Sequence, residues 1–284
     1  MVWDGLVACD LFLAGLGAWT FIFATLARKG EGLSKDRFVG MIVAFVTVAL
    51  GAVILAVDAQ GGMRDPLKFF NLISNLGSVM AWGVIFISLF LLGTFVCIVM
   101  MAMKRAVPRA LEVVVCVIGL CVSLYTGVLL GSAAAFPLWN IVALPVAFLF
   151  SAAYAGYAAY GLVARLAGEG EAGGLAEKLH LGIALPVLAG AAIAVVLAVA
   201  ASVQGSAGIA AQASVAGIVS GDYAVVFWLG VVVVGLVAPL ACNIAAKKAP
   251  GSAGALKIAE YVCIVIGAFA FRYVIVVAAV AIFA

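Results

Sequence analysis

The chain has 284 residues, of which 68% are apolar and only 10% are Asp, Glu, Lys or Arg. A soluble globular domain is about half apolar and about one quarter charged. A chain this apolar cannot cover itself with a polar surface, so its composition excludes a soluble enzyme, a nucleic-acid-binding protein and a disordered tail. It indicates an integral membrane protein that crosses the bilayer several times.

Eight segments stay apolar for the roughly 20 residues that a helix needs to cross a bilayer. They cover residues 5–27, 38–57, 78–103, 111–132, 138–166, 179–203, 223–246 and 258–283. We predict an all-α integral membrane protein in which residues 1–284 form a single membrane domain, with the eight transmembrane helices arranged as two four-helix bundles. No basic stretch precedes the first segment, so we expect a retained span and not a signal peptide. Residues 204–222 are rich in Gly, Ala and Ser and predict a flexible loop, with a re-entrant or partner-contacting segment as the alternative.

The positive charges alternate between the connections. Twelve of the fifteen Lys and Arg residues lie in or beside the first, third, fifth and seventh connections, whereas the opposite side has only Arg64 and Lys68. Basic loops remain cytoplasmic. The pattern therefore predicts a multi-pass protein of a bacterial inner membrane with its N and C termini outside.

Metal-binding patterns are missing from the sequence. Six cysteines lie within apolar runs, and no two of them have the Cys-x-x-Cys spacing of a zinc or iron–sulfur site. The chain has one histidine, His180, so it cannot supply both ligands of a bis-histidine haem. We expect no haem, iron–sulfur cluster or metal bound by this chain.

Two charged residues lie more than one helical turn inside the ends of predicted spans, where a charge is costly and is a functional hypothesis by default. Asp10 lies one to two turns from the outer end of the first span. It needs a partner, a proton or a ligand, and burial suits a carboxyl group to proton exchange. Arg272 lies near the middle of the last span, where either a structural ion pair or a place in a proton pathway would explain it.

Further polar and aromatic residues gather at the predicted outer ends of the spans: Asp58, Asn71, Asn75, Trp82, Tyr125, Trp139 and Asn140. An ordinary interfacial belt is the simpler explanation for Trp139, because Trp and Tyr are enriched there. On the inner side, Glu112, His180 and Glu260 are either the mouth of a proton pathway or interfacial residues that reach water.

Several stretches occur in the order of a known family. They are Leu11-Phe-Leu-Ala-Gly15, Asp58-Ala-Gln-Gly-Gly-Met-Arg64-Asp65-Pro66, Met80-Ala-Trp82-Gly83, Tyr125-Thr-Gly-Val-Leu-Leu, Phe136-Pro-Leu-Trp139-Asn140 and Arg272-Tyr-Val-Ile. Together they resemble the NrfD/PsrC family, the quinone-binding membrane subunits of polysulfide-reductase-like complexes. The similarity spans most of the chain. The sequence departs from the family where Asp10 replaces an aromatic residue and where Gly61-Gly62 lengthens the Asp-x-Gly-Arg-Pro motif.

The resemblance implies a function and partners. Family members bind a quinone near the outer face and exchange electrons with an extracytoplasmic iron–sulfur subunit, which serves a molybdopterin or other catalytic subunit. The chain would then be the membrane anchor of a bacterial oxidoreductase, with menaquinone as its ligand and menaquinol oxidation as its direction. Asp10 or Asp58 would accept a proton, and Tyr125 would bond a quinone carbonyl. Trp82 and Trp139 would pack near the ring, and Asn71, Asn75 and Asn140 would supply hydrogen bonds.

Two other functions remain open at this level. One is a secondary transporter or ion channel that uses Asp10, Arg272 and Glu112 along a substrate path, although transporters favour sites at the midplane and repeated halves. The other is a passive anchor, which leaves the buried Asp10 unexplained.

Overall fold

The computed structural model describes residues 5–28, 32–58, 77–168 and 180–282. These residues form nine long helices: α1 Gly5–Leu26, α2 Lys35–Asp58, α3 Val79–Ala102, α4 Arg109–Gly131, α5 Ala143–Leu166, α6 Leu181–Ser202, α7 Gly205–Val219, α8 Val226–Lys248 and α9 Ala253–Val277. All except α7 are long and apolar enough to cross a membrane. The predicted all-helical protein with eight spans is thereby confirmed.

The helix α7 corrects the prediction of a flexible loop at residues 204–222. In this fifteen-residue helix, Gly208, Ala211 and Ser214 are buried. The Ser214 hydroxyl accepts a hydrogen bond from the Val280 backbone N–H at 2.9 Å. Gly, Ala and Ser suggested a loop by composition, but here their small side chains let a helix pack closely.

Neighbouring spans run in opposite directions. The start of α1 packs beside the end of α9 at Gly5 and Tyr273, and the end of α4 packs against the start of α5 at Gly127 and Pro145. We call the side where α1 begins and α9 ends the terminal face. The opposite side, where α1 ends and α9 begins, is the basic face because it holds Arg28 and the other cationic connections.

The helices α1 and α5 form the centre of the protein. Each of these spans is 78% buried, whereas α2 and α8 are 28% buried and face outward along most of their length. Small residues permit the close packing: a Cβ on Gly156 of α5 would overlap Trp19 of α1. The polar residues of α1 and α5 are therefore held in the interior and away from lipid.

The span α8 changes its winding along its length. Val226–Val237 is π-helical, and Ala238–Lys248 continues as an ordinary α-helix with Pro239 near its start. The π-helical part touches α9 backbone to backbone, since a Cβ on Gly267 would overlap Gly235. The wider π winding is rare and is frequently found at functional sites.

A buried ion triad joins three segments at the basic face. Glu112 of α4 accepts a hydrogen bond from Arg28 at 2.7 Å through one carboxylate oxygen and pairs with Arg37 through the other. The Arg28 guanidinium also donates to the Val107 carbonyl at 2.9 Å, and Arg37 donates to the Ala24 carbonyl at 2.8 Å. The triad thus fixes the α1–α2 connection against the start of α4.

Replacing Glu112 with Gln should destabilise the protein, because it leaves two arginines without their counter-charge. Breaking a buried ion pair on one side costs about 3–5 kcal/mol. We expect Glu112→Gln to unfold at a clearly lower temperature in detergent, measured by the loss of monodisperse protein on heating. Asp222→Asn, which removes an exposed carboxylate, should behave as the wild type. Equal melting of the Glu112 variant and the wild type would contradict the triad's structural role.

Candidate functional site

Three of the predicted site residues converge in the half of the membrane domain nearer the terminal face. Asp10 of α1 is 3% exposed, and its carboxylate lies beside α2, where a Cβ on Gly51 would be 3.1 Å from Oδ1. Asp10 is also close enough to Tyr125 of α4 and Arg272 of α9 to interact electrostatically with both side chains. A carboxylate, a phenol and a guanidinium thus share one buried region.

The Tyr125 ring packs directly against a glycine of a neighbouring helix. A Cβ on Gly83 of α3 would overlap the ring and the hydroxyl, so Gly83 provides the space in which the phenol sits. The side chain is 6% exposed, and its hydroxyl has no hydrogen-bond partner among the described residues. Such a group favours any ligand that brings a hydrogen-bonding oxygen, because a buried polar atom is costly when unbonded.

Arg272 is fixed by hydrogen bonds to backbone carbonyls. It donates to the Leu11 carbonyl at 2.6 Å and to the Phe148 carbonyl at 3.0 Å, and its carbon Cζ lies 4.4 Å from the centre of the Phe148 ring. The Thr126 hydroxyl lies 3.4 Å from the same guanidinium. Gly15 of α1 leaves room for it, since a Cβ there would approach Nη2 to 2.9 Å. The positive charge is therefore immobilised next to Asp10.

Trp139 and Asn140 make hydrogen bonds to backbone groups near the ends of helices. The Trp139 indole donates to the Ile275 carbonyl of α9 at 2.9 Å, and its ring packs on Phe136. The Asn140 side-chain oxygen accepts the N–H groups of Val142 and Ala143 at 2.9 and 3.0 Å, which caps the start of α5. These contacts connect the α4–α5 connection to α9 at the terminal face.

Three predicted residues cannot be placed beside this site. Asn71 and Asn75 lie outside the described residues, and for Asp58 only its backbone position at the end of α2 is described. Trp82 is described: it is 46% exposed, and its ring tilts over Phe86 of the same helix. The next residue, Gly83, makes the close contact with Tyr125.

The inner residues occupy separate positions near the basic face. Glu260 is fully buried and bonds the Lys257 ammonium at 2.9 Å and the Asn243 amide at 3.1 Å. His180 is exposed and takes a left-handed backbone conformation immediately before α6. Glu112 is held in the ion triad described above. These residues therefore do not form one cluster.

Sequence reasoning missed the glycines that shape the site. Gly83 receives the Tyr125 ring, Gly15 accommodates Arg272 and Gly51 faces Asp10. The available signal was that Gly15 and Gly83 each end a stretch that resembles the family. A glycine's neighbours on other helices cannot be deduced from the period of its own helix.

The described site contains a phenol, a carboxylate and a guanidinium that hydrogen bonds hold in place. Within residues 5–28, 32–58, 77–168 and 180–282, no three His, Cys, Asp or Glu side chains come together in a way that could hold a metal ion. The phenol and the carboxylate can bond a polar ring substituent and exchange protons with it.

The sequence is similar to proteins of known families along its whole length. The family model described as polysulphide reductase, NrfD, matches residues 1–284. The C subunit of polysulfide reductase from Wolinella succinogenes is 29% identical over 304 aligned residues, which cover 98% of this sequence and 94% of that protein. The NrfD homolog of Haemophilus influenzae is 24% identical, and the alignment covers 86% of this sequence and 83% of that protein.

A third relative agrees with these two. Protein NrfD of Escherichia coli is 25% identical over 270 aligned residues, which cover 84% of this sequence and 83% of that protein. Because the family model extends over the entire chain and the structure has the eight predicted spans, this protein belongs to the NrfD family of polysulphide reductase membrane subunits.

Proposed function

We propose that this chain anchors a bacterial oxidoreductase in the inner membrane and binds menaquinone between α1, α3 and α4, near the terminal face. Family membership supports the role of membrane subunit in a complex with other reductase subunits. The observation that carries the quinone site is the Tyr125 hydroxyl, which is buried over Gly83 without a described hydrogen-bond partner. A quinone carbonyl or hydroxyl is an oxygen of the kind that this phenol would bond.

The residues around Tyr125 fit the chemistry of a quinone head group. Menaquinol, when bound, supplies two electrons and two protons as it is oxidised to menaquinone. Tyr125 would orient the ring by a hydrogen bond, and Asp10 would accept a proton. Arg272 would hold a positive charge beside the Asp10 carboxylate. Asp58, Asn71 and Asn75 are proposed as further contacts from sequence, with Trp82 packing at the outer edge.

In this proposal the electrons leave through a partner. The sequence offers no Cys-x-x-Cys spacing, and the described residues form no metal cluster. We therefore propose an extracytoplasmic iron–sulfur subunit that docks at the terminal face and passes electrons to a molybdopterin subunit. This requires the basic face to be cytoplasmic, which agrees with the distribution of Lys and Arg.

The predicted inner residues divide into two roles. Glu260, with His180 beside the start of α6, is proposed as the entrance of a proton pathway that leads toward Arg272. Glu112 is instead proposed as a structural residue, because two arginines already satisfy its carboxylate. The same pairing is an argument against a transporter's substrate path through Glu112. Membership of a reductase family favours the quinone site over transport.

Replacing Tyr125 with Phe should lower quinol oxidation while the complex still assembles. The variant keeps the ring on Gly83 and removes a hydrogen bond of about 1–2 kcal/mol, which corresponds to roughly a 5- to 30-fold loss of turnover. The measurement is quinol-dependent reduction of an artificial acceptor by the purified complex, with subunit content checked on a gel.

Tyr223→Phe is the matched control, because this tyrosine also lies toward the terminal face but belongs to the segment before α8. It should leave turnover unchanged. Gly83→Ala should impair turnover as Tyr125→Phe does, since the added methyl group displaces the ring. Wild-type turnover in Tyr125→Phe would remove the phenol from the proposed site.

Replacing Asp10 with Asn should remove a titrating group from the reaction. The amide keeps the size of the side chain but cannot accept a proton from the quinol at neutral pH, and it leaves Arg272 without a nearby negative charge. We expect lower turnover and a flattened dependence of turnover on pH. The measurement is the turnover of the purified complex across the pH range in which the complex is stable. A variant with the wild-type pH profile would show that Asp10 has a structural role.

A further inference from the structure

An apolar groove lies on the outside of the protein between α5 and α6, in the half of the membrane domain nearer the terminal face. Its wall is formed by the beginning of α5 with the preceding residue Asn140, and by the second half of α6 from Leu188 to Val199. Several apolar side chains of the wall are exposed: Val142 71%, Val146 44%, Leu188 42% and Val195 53%. The groove therefore opens to the outside of the protein, where the bilayer lies.

The dimensions of the groove fit one hydrocarbon chain. From Leu188 to Val199 the groove follows α6 for about 16 Å, at ~1.5 Å per residue. Spread over that length, its volume of about 420 Å³ corresponds to a cross-section of about 26 Å², whereas a helix of about 10–12 Å diameter has roughly 80–110 Å². A transmembrane helix of a partner therefore does not fit into the groove, but a single flexible chain does.

One end of the groove carries a hydrogen-bond donor. The Asn140 side-chain oxygen accepts the N–H groups of Val142 and Ala143, which caps α5. This cap uses only the oxygen, so the NH₂ group of the same amide can donate to an oxygen outside the protein. Asn140 lies just before a membrane span, at the level of the polar headgroups. The groove thus combines a donor at the membrane boundary with apolar walls that lead toward the middle of the bilayer.

The helix α5 separates the groove from the proposed quinone site. Tyr125 lies on α4, and a Cβ on Gly127 of the same helix would overlap the Pro145 backbone of α5. The groove lies on another side of α5, which Val146 and Phe150 line with the i, i+4 spacing of one helical face. A quinone ring at Tyr125 therefore has a packed helix between itself and the groove.

We propose that the groove between α5 and α6 binds one phospholipid from the leaflet at the terminal face. One acyl chain fills the groove, and the Asn140 amide donates a hydrogen bond to an ester or phosphate oxygen of the lipid. Because the apolar walls of α5 and α6 bury that chain, the bound lipid stabilises the packing of the two helices. The site goes beyond the proposed function and does not depend on quinone chemistry.

The lipid site is tested by photocrosslinking in the intact complex. The probe is phosphatidylethanolamine with a photoreactive diazirine midway along one acyl chain, added as a minor component to vesicles of phosphatidylethanolamine and phosphatidylglycerol that contain the complex. The complex is extracted and washed in detergent before irradiation, so that only retained lipid reacts, and the labelled peptides are located by mass spectrometry.

We expect labelling at the beginning of α5 and the second half of α6. These peptides should be labelled several-fold more than the peptide of α2 that contains Val46, Leu50 and Val53, because those exposed side chains contact only exchangeable bilayer lipid. Equal labelling of the three peptides would overturn the proposal. So would a groove without label, which is the result expected if another protein covers it.

Two competitors identify the occupant. Unlabelled phosphatidylethanolamine in excess should remove the labelling from the groove, whereas the same concentration of menaquinone should leave it in place. Labelling that only menaquinone removes would assign the groove to the tail of a quinone and would overturn the phospholipid site.

Replacing Ala191 with Phe tests the groove directly. Ala191 is an exposed residue in the wall, so the added ring occupies the groove without entering the protein core. The labelling should fall several-fold. Ala194→Phe is the matched control, because Ala194 is exposed on the same helix but lies outside the wall of the groove. It should label as the wild type. Undiminished labelling in a monodisperse Ala191→Phe complex would overturn the proposal.

Replacing Asn140 with Asp tests the polar contact. The carboxylate keeps an oxygen for the cap of α5 but loses the NH₂ donor and repels a phosphate group. We expect the variant to lose the labelled lipid several-fold faster than the wild type during the detergent wash. Equal retention would overturn the assignment of the lipid headgroup to Asn140.

Discussion

The rest of the structure depends on how one positive charge is accommodated inside a membrane protein. Arg272 lies in the last span, where a guanidinium has no water to solvate it. Carbonyls of α1 and α5 replace that water, and the Phe148 ring covers one side of the charge. These contacts hold α9 against the two central helices. They also explain why a carboxylate, Asp10, can be buried nearby.

Much of the fold and part of the site could be predicted from the sequence. Spans are encoded by continuous runs of apolar residues, so their number was predictable, and the rarity of charge in such runs singled out Asp10 and Arg272. Contacts between helices, by contrast, could not be predicted from the sequence. The packing of Tyr125 on Gly83 depends on how α3 is rotated about its axis. The sequence of α3 does not indicate that rotation, because the span is apolar on all sides.

The same limit explains the other differences. The sequence predicts Trp139 and Asn140 as ligand contacts, but it does not predict the hydrogen bonds that both side chains make to backbone groups at helix ends. The Gly, Ala and Ser residues of α7 suggested a loop although they permit close packing.

We propose that this chain passes electrons from quinol to a partner that carries the metal centres. The most direct measurement is an anaerobic titration of the gently purified complex with menaquinol, following the spectrum of the co-purifying iron–sulfur centres. We expect quinol to reduce these centres and a tightly binding quinone analogue to prevent the reduction. A protein that purifies alone, or with iron–sulfur centres that menaquinol does not reduce, would contradict it.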